Sequence, residues 1–237
     1  MFTSAKRSYQ KELLDSSDIP FRDIMRNMQE LEFINRYLGG HAITLDGVNK
    51  LINDYDDRQP IKIVEMGCGG GDNLNAIQKW ALKKDIPVSL TGIDINEECI
   101  HYASSRNKSG IIRFIHSDYR LVDFQEKPDI LFSSLFCHHF TDVELVEMFA
   151  YMYHNSSLGF FINDLHRHPI AFHIIKWLTQ LFSSSYLVKN DAPLSVSRGF
   201  TKKDWELLLK KANITTYSCE WKWAFRWLIT VHNYGVK

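Results

Sequence analysis

A strand-like run, Ile61 to Met66, is followed at once by glycines at 67, 69 and 71 and then by a helical pattern. IKIVEMGCGGGDNL therefore reads as strand, glycine loop and helix. Glycines at those places let the backbone turn tightly and approach a ligand without interference from a Cβ atom. The helix start behind them offers unpaired N–H groups and a positive dipole end to a carboxylate or phosphate. The dinucleotide spacing GxGxxG would need glycine at position 72, but Asp72 stands there, and an acid at that point repels a pyrophosphate. Asp94 ends the second strand, where an acid about 20 residues beyond a glycine loop accepts hydrogen bonds from ribose hydroxyls. Asp118 and Tyr119 end the third: a carboxylate accepts from an exocyclic adenine amine, and an aromatic ring covers a purine face. With Glu65 ahead of the loop, these residues describe a site for an adenosine whose tail carries a cation and no phosphates.

The fourth strand runs into SSLFCHHF, which places Cys137, His138 and His139 near the reacting end of such a ligand. A histidine near its ordinary pKa is a suitable base for a phenol. Adjacent strand-end residues point in different directions, so one imidazole is expected to face an acceptor; in the bland alternative one packs and the other caps the next helix. A second cluster, Asp164, His166, Arg167 and His168, follows the fifth strand. Acid, imidazole and guanidinium together can position an acceptor carboxylate or hydroxyl, or hold the following segment down. No HxxxH or HExxH spacing occurs and adjacent histidines chelate poorly, so no metal is expected. Cys68, Cys99, Cys137 and Cys219 lack a CxxC pairing and read as buried or incidental thiols.

The elements that must position these groups read as an α/β fold, because from residue 61 onward apolar runs alternate with helical patterns. Strands are expected at Ile61 to Met66, Val88 to Ile93, Ile111 to His116, Asp129 to Ser133 and Gly159 to Asn163. Asp72 is expected to cap a helix reaching about Lys83, Asn96 to start the next, and Thr141 with Glu144 to open a third through a capping box. An insertion follows the fifth strand: a helix from Pro169 to Phe182, a Ser-rich turn and the polar loop LVKNDAPLSVSRG. A helix from Thr201 to Ala212 then leads to Thr215 to Trp223 and Trp227 to Asn233, which read as a terminal hairpin. Helices over Phe21 to Leu38 and Leu45 to Asp54, broken at Gly39-Gly40, make a cover on the same domain, so residues 1–237 are expected to form one domain.

The stripe Ile170, Ile174, Trp177, Leu178 and Leu181 reads as ordinary core or as a lid over an apolar acceptor, joined by Phe21, Met25 and Met28. Asp191 and Arg198 are expected to pair with each other or with the amino-terminal cover. Trp221, Trp223, Phe225 and Trp227 suit sheet packing or an oligomer face, and a homodimer is left open. Of the 237 residues 45% are apolar, enough for a sizeable core, and 28 Lys and Arg cancel 28 Asp and Glu. There is thus no overall positive field for nucleic acid or an anionic membrane. No apolar run approaches the roughly 20 residues of a membrane span, and MFTSAKRSYQKELLDSS lacks a signal-peptide core, so a cytoplasmic protein is expected.

In this order and spacing the residues resemble the class I S-adenosylmethionine-dependent methyltransferases. Glu65-x-Gly67-x-Gly69-x-Gly71 resembles the first motif of that family, Asp94 its ribose acid, Asp118 its adenine-contacting acid and DILFSSLFCHHF its fourth motif. The resemblance covers roughly residues 40 to 233. It implies a seven-stranded, mostly parallel Rossmann-like sheet whose last strand is antiparallel, with helices on both faces. It implies S-adenosyl-L-methionine as cofactor, held by Glu65, Gly67, Cys68, Gly69, Gly71, Asp94, Ile95, Asp118, Tyr119 and Ser133, with His138, His139 and His166 as candidate catalytic residues. FINRYLGGH, NDLHRHP and DAPLSVSRGFT are similar to bacterial small-molecule methyltransferases of polyketide or isoprenoid-quinone pathways. The acceptor is then a small, largely apolar molecule methylated at a phenolic oxygen, or at carbon. The competing readings are a nicotinamide oxidoreductase, disfavoured by Asp72 and the final hairpin, and a protein that binds the cofactor without turnover.

Overall fold

The computed structural model describes residues 2–16, 18–52, 59–107 and 110–233. Seven strands form one sheet: β1 (Ile61–Met66), β2 (Val88–Asp94), β3 (Ile112–His116), β4 (Ile130–Ser134), β5 (Gly159–Leu165), β6 (Ser218–Lys222) and β7 (Arg226–His232). Their order is β3-β2-β1-β4-β5-β7-β6, and β7 alone runs against the rest. The described helices are α1 (Phe21–Tyr37), α2 (Gly40–Ile52), α3 (Asp72–Lys84), α4 (Glu97–Arg106), α5 (Asp142–His154), α6 (Pro169–Phe182), α7 (Tyr186–Arg198) and α8 (Lys202–Lys211).

The period-two alternation of the strands feeds two cores. Ile63, Phe132, Phe161 and Leu228 pack with Val48 of α2 and Leu74 and Ile77 of α3. Val64, Leu131, Phe160 and Ile229 face the other way, onto Met148 and Phe149 of α5 and Trp205 and Leu208 of α8. Both faces of the sheet are therefore covered, as the sequence rhythm requires. The strand order reverses between β1 and β4, which opens a crevice at the carboxyl ends of these two strands.

Most boundaries agree with the sequence within a residue or two, and three local readings are corrected. Asp72 does not cap α3: Gly71, with a left-handed backbone, is the N-cap, and Asp72 lies in the first turn. The second amino-terminal helix starts at Gly40, five residues before the expected Leu45, and the expected end, Asn53 and Asp54, lies outside the described residues. The polar loop LVKNDAPLSVSRG is in fact α7, Pro193 included. Its tertiary environment overrides its local signals: Ser185 caps it through Val188 N–H, and Leu187, Val188 and Val196 are buried. Its Asp191 carboxylate accepts from Leu13 and Leu14 N–H at 2.8 and 3.0 Å, which ties the amino-terminal cover to the insertion, the second of the two pairings expected for that residue.

Asn96 and Thr141 cap as expected, the latter with Glu144 in a reciprocal box. Gly159 at the start of β5 has φ 140°, and a Cβ there would lie 2.1 Å from Val231 O in the partner strand. Replacing Gly159 by alanine should therefore lower stability by about 2–3 kcal/mol or more, by forcing β5 from β7. The midpoint of urea unfolding checks this; an unchanged midpoint would show that the strand start relaxes freely.

Candidate functional site

The crevice at the strand reversal holds a cavity of about 630 Å³. Its floor comes from the ends of β1, β2, β4 and β5: Gly67 to Gly70, Asp94 to Asn96, Ser134 to Phe136 and Leu165. Its roof is apolar: Met28, Leu31, Ile34 and Leu38 of α1, Ala171, Ile174, Ile175 and Leu178 of α6, Val188, Ala192 and Val196 of α7. Of the expected stripe on α6 only Ile174 and Leu178 line the cavity; Ile170, Trp177 and Leu181 are exposed and lie outside it. Of the three amino-terminal residues expected in the lid, only Met28 lines the cavity; Phe21 and Met25 pack with Ile24, Cys99 and Tyr102.

The glycine loop is shaped as its spacing demands. Gly67 has φ 68°, and a Cβ there would sit 2.1 Å from the Phe136 ring. The loop is tied down by Gly67 and Cys68 N–H to Ile93 O, and by Gly69 N–H to the Asp94 carboxylate at 2.8 Å. The other Asp94 oxygen accepts from Asn96 N–H at 2.9 Å. Burial raises the Asp94 carboxyl above its ordinary value against the pull of these two N–H groups.

Glu65 ends β1 fully under this loop. Its Oε1 accepts from Asn73 Nδ2 at 2.9 Å, while its Oε2 is buried and has no partner. Burial first, and then the charge of Asp72, push its carboxyl well above the ordinary range, opposed by the Asn73 bond. A buried carboxyl oxygen without a partner at the cavity wall is a place for a polar ligand group, and a cation there would draw the raised carboxyl back down. Asp72 has partners of its own: Asn35 Nδ2 donates to it at 2.9 Å and His41 Nε2 lies 2.7 Å away. Burial, which would raise its carboxyl, is outweighed by these two, and it is held low.

The two adjacent histidines also line the cavity. They sit on a 3₁₀ turn, Cys137–His139, rather than on a strand, so their rings lie side by side, centroids 4.4 Å apart, and both line the cavity. The expectation that only one would face it fails for this reason. His138 is buried; its Nδ1 lies 2.8 Å from Asp164 Oδ1, and Asp164 Oδ2 accepts from His138 N–H. Asp164 is fully buried, but the charge of His138 and its hydrogen bond outweigh burial and keep the carboxyl low. The Asp164 carboxylate accepts from the Nδ1 side of the ring, so Nε2 is the nitrogen left to exchange a proton. That Nε2 points toward Glu12 Oε1 at 3.6 Å. His139 is held by Asp15 through Nδ1 at 3.0 Å.

Glu12 and Asp15, far upstream in a polar segment, reach the histidines and line the cavity without having been singled out from the sequence; nothing in their neighbourhood distinguishes them. Donor atoms of Glu12, His138 and His139 come within 4.8 Å of one another, a grouping that short-range spacing could not reveal. Arg198 supplies a cation there, 3.9 Å from Glu12 and 3.7 Å from Asp15, and donates to His138 O.

Other expected residues lie elsewhere. Asp118 is paired with Arg120 outside the cavity. Tyr119 packs on Phe136 and Tyr151, Ser133 is buried against Cys137 Sγ, and Gly71 turns the chain behind the loop, so none of the three lines the cavity. His166 also stands apart: Trp221 Nε1 donates to its Nδ1, and burial together with His168 and Arg167 pulls its pKa down to about 4. Arg167 is a structural clamp on Ser4 O, Gly199 O and Asp204. Ile95 and Cys68 do line the cavity.

Comparison with known proteins agrees with this geometry. Residues 63–156 match the family model described as a methyltransferase domain, a span from β1 through α5 that contains the glycine loop, Asp94 and both adjacent histidines. No curated protein sequence matches the chain. The fold is similar to that of the plantazolicin methyltransferase BpumL in complex with SAH (TM-score 0.66, 20% identity, 91% of each chain covered). It is also similar to human N-acetylserotonin methyltransferase with SAM (TM-score 0.60, 18% identity, 90% of this chain and 56% of that one). A third is magnesium protoporphyrin IX methyltransferase from Synechocystis with SAH (TM-score 0.57, 13% identity, 89% and 96% covered). No helix of the described residues is long and apolar enough to cross a membrane.

The His139–Asp15 pair carries a pH dependence. Burial would lower the imidazole, but the Asp15 hydrogen bond and the charges of Glu12 and Asp15 outweigh it, so His139 titrates above 6.5. Its contribution is complete below that value and fades as the pH rises through the raised pKa. Asp15 is held below 3.8, its burial outweighed by the His139 bond, so its contribution fades only as the pH falls through that lowered value. Asp15→Asn should therefore cost about 0.5–1 kcal/mol near pH 5–6 and less at pH 8–9, where Glu12 N–H and Arg198 remain as partners. Urea unfolding of both proteins across that range reads the difference; a gap that grew with pH would contradict the pairing.

Proposed function

We propose that this chain is a class I methyltransferase that uses S-adenosylmethionine and methylates a phenolic oxygen of a small, largely apolar acceptor, with His138 taking the proton. The observation that carries the reading is the buried Asp164–His138 pair, 2.8 Å apart, on the wall of a cavity roofed by apolar side chains of α1, α6 and α7. The cofactor, when bound, supplies a sulfonium methyl that is displaced in line, and the protein's work is then positioning and proton removal. The orphaned Glu65 Oε2 fits the ammonium of its methionine tail, and the Gly67–Gly70 backbone fits the passage of that tail. Asp94, at the end of β2, fits the ribose hydroxyls, and Ile95 beside it offers an apolar contact to the base.

Asp164 fixes the tautomer and orientation of His138, and Glu12 stabilises the imidazolium that forms when the proton arrives. Asp118, Tyr119, Ser133, Gly71 and His166 have no part in this reading, because each lies outside the cavity wall. Methylation at an electron-rich ring carbon is the second reading, favoured by the same base, which can remove the ring proton.

Two substitutions separate binding from chemistry. Asp94→Ala should weaken S-adenosylhomocysteine by tens-fold, about 1.5–3 kcal/mol for a lost charge-assisted contact, as read by calorimetry. His138→Ala should leave that affinity within about twofold and depress turnover on a panel of phenols and quinones by roughly 10²–10⁴-fold. Undiminished turnover would remove the base from the mechanism. Binding of S-adenosylhomocysteine with no transfer to any acceptor would favour a binding protein instead.

A further inference from the structure

Arg226 opens β7 at the wall of the same cavity and is 3% exposed. Its Nη2 donates to Asn35 Oδ1 at 2.8 Å and its Nη1 to Asn163 Oδ1 at 3.5 Å. Both partners are neutral amides, and no carboxylate of the described residues pairs with its guanidinium within 4.0 Å. The two nearest acids act only at a distance. Asp72 is reached through Asn35, whose Nδ2 donates to it, and Asp164 is already committed to His138. Burial draws the pKa of Arg226 down to about 10, so the group remains a cation at neutral pH.

A guanidinium taken out of water without a counter-ion is costly, and buried cations are as a rule paired. Its planar fork has five N–H donors, and the two amide bonds account for two of them while fixing its plane. Asn35 and Asn163 are themselves buried, so the fork is held rather than loosely placed. Such a group is suited to a planar, two-oxygen anion.

We propose that Arg226 is the carboxylate-binding residue of this cavity, its counter-anion being supplied by a bound ligand. The inference rests on the methyltransferase reading above and extends it. Two ligands can bring that anion: the amino-acid tail of the cofactor, or an acceptor that carries an acid group. On the first, Arg226 and Glu65 divide the tail between them, one holding the carboxylate and the other the ammonium. On the second, the acceptor is an aromatic acid, oriented by Arg226.

The test uses the full chain, the variants Arg226→Lys and Arg226→Gln, and four probes: S-adenosylhomocysteine, its decarboxylated analogue, an aromatic acid acceptor and its methyl ester. If the tail supplies the anion, wild type prefers S-adenosylhomocysteine to the decarboxylated analogue by about tenfold or more, Arg226→Gln abolishes that preference and Arg226→Lys retains part of it. If the acceptor supplies it, cofactor affinity is unchanged in the variants while KM for the acid rises about tenfold and KM for the ester does not. Variants that discriminate in neither pair differently from wild type would overturn the proposal. Should Arg226→Gln not fold, wild type decides alone: equal affinity for the two nucleosides together with equal KM for acid and ester overturns it. Failure of wild type to bind any adenosyl ligand would instead bring down the underlying reading as well.

Discussion

Negative charge buried beneath one glycine loop is the constraint on which this cavity depends. Glu65 and Asp94 lie at the carboxyl ends of β1 and β2 and Asp72 in the first turn of α3, and each is compensated differently. Asp94 is held by two backbone N–H groups, Asp72 by Asn35 and His41 from the cover, and Glu65 by Asn73 at one oxygen only. Removing charge from water is expensive, so an oxygen left open here points to compensation by something that binds. The loop geometry is part of the same device. Gly69 approaches Asp94 closely because Gly67 turns with a positive φ over the Phe136 ring.

A second set of buried charges closes the other side. Arg198 of α7 donates to Gln10 O and His138 O, Arg7 reaches Arg198 O and Asp142, and Asp191 accepts from Leu13 and Leu14. Residues from the first fifteen positions, from the turn after β4 and from the insertion are thus tied into one network. The network fixes the imidazoles, and it also roofs the cavity with apolar side chains from α6 and α7. The lid and the candidate base are therefore coupled: a change that loosens the Asp191 contacts also frees Asp15 and Glu12 beside the histidines.

Legibility in the sequence followed locality. The strands, the caps at Asn96 and Thr141, the glycine loop and Asp94 were readable because each depends on neighbours within a few residues. The helix α7 was not, since its Pro193, Asn190 and Ser residues signal a loop, while the burial of Leu187, Val188 and Val196 and contacts with Glu12, Leu13 and Leu14 come from distant parts of the chain. Glu12 and Asp15 could not have been found by spacing, for the fold brings them to His138 and His139 across most of the chain. Asp118 and His166 illustrate the converse: strand-end positions suggested a ligand, but Arg120 and Trp221 had already claimed them. Arg226 did leave a trace, as a lone cation inside the apolar run WAFRWLIT. A charge in a buried strand is a polar group in need of a partner.

The cavity has a polar floor and an apolar roof, and on the proposed function this divides cofactor recognition from acceptor choice. Carboxylates gather under the glycine loop and beside the imidazoles, while Leu31, Ile34, Ile174, Ile175 and Leu178 supply the apolar cover. The charged groups are supplied largely by strand termini and by the loops that follow them, which the sheet holds rigidly. The apolar cover comes from α1, α6 and α7, none of which belongs to the sheet. On the proposed function, acceptor selectivity resides in the elements that are easiest to remodel without disturbing the strand ends. A methyl group in an apolar pocket discriminates by only about 1–3 kcal/mol, whereas a satisfied or unsatisfied buried charge discriminates by far more. The strongest filter on the acceptor is therefore expected where that apolar roof meets a fixed polar group, at His138 and Arg226, rather than along the roof itself.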